Sequence, residues 1–482
     1  MNPQRLLDSF LAMTAVESPS WHEAAMADFC ARELEGMGFA VAFDDSGEET
    51  GSEVGNLIAH LRGTVPGHIA FSAHMDTVVP CAGIRLVIER RPAAACGYED
   101  AEGEVEVICS TGETILSADD KAGIAAIFEG VRATLEAGAP RPDLTVVLTT
   151  CEEQSLLGAS ALAPDVFARA AVLPDERTNV SRETFSNGAA RAEAGEDERA
   201  VACAGADGEA GGSAEERASA GAASAGVEEH ASVNVASAGA EERSSANAAS
   251  ASARTNVSRE TLAEPDLVPC FVLDADGHPG SIIVGAPFHY TLRARFTGRA
   301  AHAGVEPEAG ASAIQMAAHA VAGMPLGRID EHTTANVGVV SGGAAVNIVP
   351  EICCVEGECR SLFEDRVNAQ RDAMTRACEE AAARFGGTVE VDWTVDYPGI
   401  LFSEDAPIVS SLVRAAKAAG LTPRLALSGG GADANVLSTK GACAITLGIG
   451  MTNFHTCDEH ITVRDLEGSA RYVEAVIAEY AC

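Results

Sequence analysis

Five groups of acidic and histidine residues are spaced along the chain: His74 and Asp76 in SAHMDT, Asp119 and Asp120 in LSADDKAG, Glu152 and Glu153 in TTCEEQ, Asp274 and Asp276 in VLDADG, and His455 with Glu459 in FHTCDEH. Any one of them alone reads as solvated loop residues. Together they carry weight, because each follows an apolar run, and α/β sheets present their ligands at the carboxyl ends of strands. Imidazole nitrogens and carboxylate oxygens are donors that zinc accepts, and a hydrolytic site keeps a position open for water. Two ions about 3.5–4 Å apart need a shared carboxylate, and two histidines with three acids suit that arrangement. Further carboxylates must orient a histidine and accept the proton of the water.

The elements that position these groups follow from periodicity. Leu6, Phe10, Leu11 and Met13 share a helical face, and Ala24 to Met37 forms a second helix ended by Gly38. Asn56–Leu61 reads as a strand. His68-Ile-Ala-Phe-Ser-Ala-His-Met-Asp and Leu144-Thr-Val-Val-Leu-Thr-Thr read as buried strands that end in polar groups. Between them, Asp120–Glu136 is a helix. Strand, helix, strand in this order predicts an α/β fold with a mostly parallel central sheet flanked by helices. From Ser281 onward the pattern changes: strands to Phe296, a helix over Pro307–Ala322, strands over Ala335–Val340, Ile352–Arg360 and Thr388–Val395, and a helix over Glu364–Phe385. This predicts a smaller two-layer α+β domain interrupting the larger one, to which the chain returns near Pro398.

Composition bounds the partners. The 482 residues allow two or three domains. A formal charge of −38 argues against nucleic-acid binding, which needs a basic face to displace counterions. No apolar run reaches the ~18 residues of a membrane span, and the first residues, MNPQRLLDSFLAMTAVE, lack the features of a leader. A cytoplasmic location without membrane attachment is therefore expected. The 14 cysteines are scattered without a CxxC pair, so buried thiols are expected rather than a disulfide frame.

Residues 176–264 stand apart. They are rich in Ala, Gly, Ser and Glu, with 16 acids and 8 bases, and cannot bury enough apolar surface to offset the entropy of ordering. A disordered insert is expected. It is bracketed by a perfect repeat, Arg177–Thr184 and Arg254–Thr261, both reading RTNVSRET. Such a repeat reads as a duplication at the DNA level. Its VSRET core can be encoded by GTTTCACGTGAAACA, within a palindrome resembling bacterial centromere-like partition sites. No catalytic role is assigned to it.

Taken in order, SAHMDTV, TILSADDKAGIAAI, EEQSLLGA, GRAAHAG, NIVPE, SGGGADANV and HTCDEHI resemble the peptidase T branch of the di-zinc exopeptidase family, which also holds carboxypeptidase G, succinyl-diaminopimelate desuccinylase and acetylornithine deacetylase. The resemblance spans nearly the whole chain outside the insert. It implies catalytic segments over residues 1–175, 265–285 and 397–482, and a lid or dimerisation domain over 286–396. It implies His74 and Asp274 as ligands of a first ion, Glu153 and His455 of a second, and Asp119 as the bridge, followed by a cis peptide bond. Asp276 is the alternative to Asp274. Asp76 would orient His74, and Glu152 would be the general base. His302 is implied as an oxyanion-stabilising group that projects from the smaller domain or reaches across a dimer. Asn347, Arg360 and Gly430 are candidate substrate binders, with pairing to a structural acid as the alternative for Arg360. Ser117 departs from the family pattern, where Gly precedes ADDK.

The implied activity is metal-dependent hydrolysis of short peptides, as an aminopeptidase of tripeptidase type. The alternatives are a carboxypeptidase or N-acyl amino acid deacylase of the same family, and a non-catalytic metal-binding scaffold, which would have no need of Glu152. Two divalent ions are implied, zinc first, with cobalt or manganese sharing such ligands. A homodimer through the smaller domain rests on the resemblance alone.

Overall fold

A computed structural model describes residues 1–98, 102–171, 184–185 and 267–481. The expected insert, 176–264, lies outside the described residues apart from the two-residue strand Thr184–Phe185.

The larger body is built on a ten-stranded sheet. Its centre is four parallel strands in the order Ala442–Met451, Val268–Asp276, His68–His74, Asp143–Thr149. Antiparallel neighbours continue it on both sides, through Leu57–Leu61 and Ala40–Asp44 on one flank and Ser281–Ala286 on the other. The central strands are apolar on both faces because both are covered. Ile69, Phe71, Ala73, Leu144, Val146 and Leu148 face a core shared with the helices Pro3–Thr14, Ala118–Glu136, Pro407–Ala418 and Val463–Glu479. Ala70, Val147, Cys270 and Val272 face the opposite core, shared with shorter helices such as Val166–Ala170 and Asp433–Leu437. This alternation is the period-2 signature of a strand. Each parallel strand therefore ends at the same edge, and that edge carries His74, Thr149 and Asp274.

A three-stranded antiparallel sheet, Leu86–Pro92, Glu104–Ser110 and His460–Thr462, was not foreseen from the sequence. It ties the segment before Asp119 to the segment after His455.

The smaller domain is a five-stranded antiparallel sheet in the order Gly327–Asp330, Thr333–Gly342, Ile352–Ser361, Phe288–Thr297, Thr388–Tyr397. The helices Ala313–Gly323 and Glu364–Phe385 pack on it, closing a core of Leu292, Phe296, Val355, Met316, Val367 and Met374. The expected helix over Pro307–Ala322 begins later: Pro307–Ala309 is a 3₁₀ turn, and Ser312 caps the α-helix by accepting the Gln315 N–H. The cap side chain satisfies a first-turn donor that would otherwise be orphaned. Cys30, Cys151, Cys270 and Cys378 are buried thiols, as the scattered spacing implied. Among the described residues no helix is long and apolar enough to cross a membrane.

Candidate metal centre

His74 closes the central strand His68–His74 and is 1 % exposed. Its Nε2 lies 2.9 Å from Asp119 Oδ1 and 3.8 Å from Asp274 Oδ1. The other ring nitrogen, Nδ1, is 2.9 Å from the Asp76 carbonyl and 3.5 Å from its carboxylate. An acceptor behind the ring fixes the tautomer and leaves Nε2 facing the acids. The buried Asp76 has a second task. Its carboxylate accepts the backbone N–H groups of Glu152 at 2.9 Å and Glu153 at 3.2 Å, and the Ser20 hydroxyl at 2.8 Å. One side chain thus sets both the first histidine and the loop that bears the two glutamates.

Asp119 stands between the two halves of the group. Besides its contact with His74, its Oδ2 is 3.2 Å from His455 Nε2, which lies 2.8 Å from Glu153 Oε2. The Asp119–Asp120 peptide is cis, as the resemblance implied. Asp120, assigned no ligand role from sequence, is also drawn in: its carboxylate accepts the backbone N–H groups of His74 at 3.3 Å and Gly123 at 3.1 Å. Two sets of donor atoms, His74 with Asp120 and Asp274, and His74 with Asp119 and Glu153, have all their members within 4.8 Å of one another. Asp274 is at the cluster, whereas Asp276, two residues on, is exposed. Cys151, Ser155, Leu156 and His455 have φ between +49° and +63°, a region that non-glycine residues adopt sparingly and that gathers at functional sites.

The charges explain what the group lacks. Burial opposes protonation of His74, but Asp119 and Asp76 outweigh it and hold the imidazole well above its usual range. His455 is pushed up to about 10 by Asp119 and Glu153. Asp119 is held below the usual carboxylate range: burial works against this, and its contacts with His455 and His74 prevail. The remaining acids go the other way. Burial first, then the charge of Asp274, drives Asp120 and Glu152 well up; burial also drives Asp274 well up and raises Glu153. Five carboxylates therefore share two imidazoles in a cluster that is buried around His74 and Asp119 and open at His455. Such a set is short of positive charge, and divalent cations with N and O ligands are the partners that correct it. The residues present fit two metal ions.

A cavity of about 200 Å³ opens over the acids, lined by Glu152, Asp274, Gly430, Gly431 and Phe454 among others. Gly431 is required there: its N–H donates to the Tyr397 hydroxyl at 3.0 Å, and a Cβ would come within 2.4 Å of the Tyr397 ring. Arg360 reaches the edge of this loop. It is 2.7 Å from Glu358 and 3.5 Å from the Tyr397 hydroxyl, and its Nη1 is 4.0 Å from where a Cβ on Gly430 would sit. The pairing with a structural acid is thus present, beside the loop that lines the cavity. His302 and Asn347 are not brought to the cluster. Both are exposed, on the small hairpin where Ala301–His302 pairs with Ile348–Val349.

Three further buried groups emerge: Glu459, which the sequence grouped with His455 without giving it a role, and two that sequence reasoning missed, Asp433 and Lys121. Glu459 accepts the backbone N–H groups of Leu116 at 2.7 Å, Ser117 at 2.8 Å and Asp119 at 3.0 Å. It thereby holds the loop that presents Asp119, in which Ser117 takes φ +64°, the conformation glycine would adopt freely. Burial pushes Glu459 up to about 7. Asp433, 1 % exposed, bonds to Thr149 and is raised by burial to about 6. Lys121, fully buried, donates to the Val16 carbonyl at 2.7 Å and is lowered by burial to about 8. The position of Glu459 four residues after His455 was the available signal for the first, and the AD pair that follows the glycines for the second; nothing marked Lys121 as buried.

The chain is similar in sequence and fold to known peptidases. Residues 56–220 match Peptidase family M28 and residues 288–385 match the Peptidase dimerisation domain. The chain is 33 % identical over 482 residues to the uncharacterised protein YqjE of Bacillus subtilis, with all of both chains covered. It is similar in structure to the aminopeptidase PepT of Bacillus cereus, at 31 % identity, full coverage of both chains and a TM-score of 0.71. A tripeptidase of Staphylococcus aureus gives 26 % identity and a TM-score of 0.72, covering 100 % of this chain and 99 % of that one. The chain belongs to the peptidase T-like family of metallopeptidases.

Proposed function

We propose that this protein is an aminopeptidase that hydrolyses short peptides, of the tripeptidase type, with zinc as its resident ion. One observation carries the reading: Asp119 joins His74 to His455 while Glu152 lines the same cavity as Asp119 and His455, its backbone held by Asp76 and its carboxylate in neither donor set. His74 and Asp274 would hold one ion, Glu153 and His455 the other, and Asp119 both. When bound, the ions would supply Lewis acidity, lowering the pKa of a water toward ~7 and polarising the scissile carbonyl.

The chain's own residues do the rest. Glu152 takes the water proton as the oxygen attacks the carbonyl carbon, and returns it to the leaving amine nitrogen. Burial and the neighbouring Asp274 raise the affinity of Glu152 for that proton. Asp76 keeps His74 and the Glu152 loop in register through both steps. His302 is proposed to steady the oxyanion, carried there by closure of the 286–396 domain as a lid or by a second copy. A homodimer through this domain is supported by the match to the dimerisation family and by Val339, Val340 and Val346, which are 50 %, 55 % and 104 % exposed near the free end of its sheet. Arg360, Asn347 and Gly430 are proposed to hold the peptide.

Incubation of the zinc- or cobalt-loaded protein with a panel of di-, tri- and N-acyl-peptides tests the proposal. Release of the N-terminal residue from unblocked tripeptides is expected. Turnover of N-acyl substrates only would assign the deacylase instead, and metal binding without any turnover would assign the scaffold.

A further inference from the structure

A second cavity, of about 330 Å³, is bounded by Tyr98, His278, Arg424, Arg464, Asp465 and Arg471 among others, and shares no residue with the one over the acids. Its lining is cationic in a chain of formal charge −38. Arg424 begins the strand Arg424–Leu427, and Arg464 and Arg471 lie about two turns apart on the helix Val463–Glu479. The wall is ordered. The Arg464 guanidinium sits 4.3 Å over the Tyr98 ring, and Tyr98 stacks on His278 at 4.3 Å and 22°. The Tyr98 hydroxyl is 2.8 Å from Thr462 Oγ1.

Among the described residues, the one acid in the lining is already engaged. Asp465 is 3 % exposed, lies 3.0 Å from His278 Nδ1, and accepts the Thr462 hydroxyl at 2.8 Å. Arg471 has Glu467 at 3.3 Å, but among the described residues Arg424 and Arg464 form no ion pair. Like charges gathered in a concave surface focus a positive field that attracts an anion. A guanidinium fork matches the oxygens of phosphate as it does a carboxylate, and several forks around one cavity suit the charge of a phosphoryl dianion better than that of a single carboxylate. The volume is within the range of small-molecule sites, about 300–1,000 Å³.

We propose that this cavity binds a small phosphate-bearing anion, with Arg424, Arg464 and Arg471 taking its charge. The site stands on the turn that follows Asp274 and on the helix that follows Glu459, outside the hydrolytic group. The metal-loaded full chain would be titrated calorimetrically with inorganic phosphate and with glycerol 3-phosphate. Saturable binding at one site per chain is expected. It should weaken at least tenfold in Arg424→Ser/Arg464→Ser, the loss of charge-assisted bonds worth more than about 1.4 kcal/mol, and persist in His455→Ala. Because Arg464 also packs on Tyr98, Arg424→Ser alone, at an exposed position, must weaken binding too while keeping wild-type melting and peptide hydrolysis. Tighter binding of glycerol 3-phosphate assigns an organic ester, and tighter binding of phosphate the free ion. Absence of saturable binding, unchanged affinity in Arg424→Ser, or loss of binding in His455→Ala with retention in the arginine variants would overturn the site.

Discussion

Glu459 touches no donor set, yet the loop that presents Asp119 hangs from it. Glu459→Ala removes the acceptor for three backbone N–H groups, at 2.7, 2.8 and 3.0 Å. Hydrogen bonds to a charged acceptor contribute about 1.5–3 kcal/mol each. Only the bond from Asp119 falls on a ligand residue; the other two fix Leu116 and Ser117, and water entering the vacated space can meet part of their need. Counting the Asp119 bond alone gives a loss of about 1.5–3 kcal/mol in metal affinity. That agrees with the roughly 10–100-fold that groups behind metal ligands commonly control. Glu459→Gln is the informative partner. Its amide oxygen can serve Leu116 and Ser117, but its NH₂ then faces the Asp119 N–H, donor against donor. It should therefore fall nearly as far as Ala. Competition with a chromophoric chelator gives the affinity, and kcat/KM measured against added zinc should recover when metal is in excess. Wild-type metal affinity in Glu459→Ala, or full rescue by Gln, would refute the reasoning.

Other outcomes follow from the same geometry. Glu152→Gln should keep both ions, measured by metal content, and lose about 10²–10⁴-fold in kcat, the contribution expected of a general base. Stripping the metal with a chelator should abolish hydrolysis and lower the melting temperature, because the buried acids lose their counter-charge; returning metal at ~100 times its Kd should restore about 2.7 kcal/mol per site. His68, away from the site, is lowered to about 4 by burial and then by His60. The unfolded chain takes up this proton near its ordinary value of about 6.5 and the folded chain does not, so stability falls as pH drops from about 6.5 toward 4. With partial exposure the effect is about 1–2 kcal/mol; in denaturant titrations His68→Gln should lose that part of the acid sensitivity.

The donor residues were legible because each sits where an apolar run ends, so a one-dimensional pattern marks a three-dimensional edge. His74, Glu153 and His455 meet although up to 381 positions separate them, since parallel strands put their carboxyl ends on one side, and Asp119 joins them from the start of the helix Ala118–Glu136. What was not legible belongs to pairs with no local signature. Glu459 serves amides 340 or more positions away, and Asp433 meets Thr149 across 284. The strands Leu86–Pro92 and Glu104–Ser110 escaped because the first is mostly exposed, so no apolar alternation announces it. The helix expected from Pro307 starts six residues late, since Ser312 supplies the cap and the preceding glycine breaks the run. His302 satisfied a motif, but its surroundings in one chain do not include the group it was expected to serve.

The chain leaves the larger sheet after Ser281–Ala286 and returns through Ile400–Leu401, and these strands are paired, Ala286 opposite Ile400. Entry and exit of the smaller domain are thus about 5 Å apart, one inter-strand spacing. The 98-residue stretch matched to the dimerisation family, 288–385, lies wholly between those two joins. It behaves as a cassette: it could be exchanged among relatives with two adjacent splices, carrying His302, Asn347 and Arg360 along and leaving every metal donor behind.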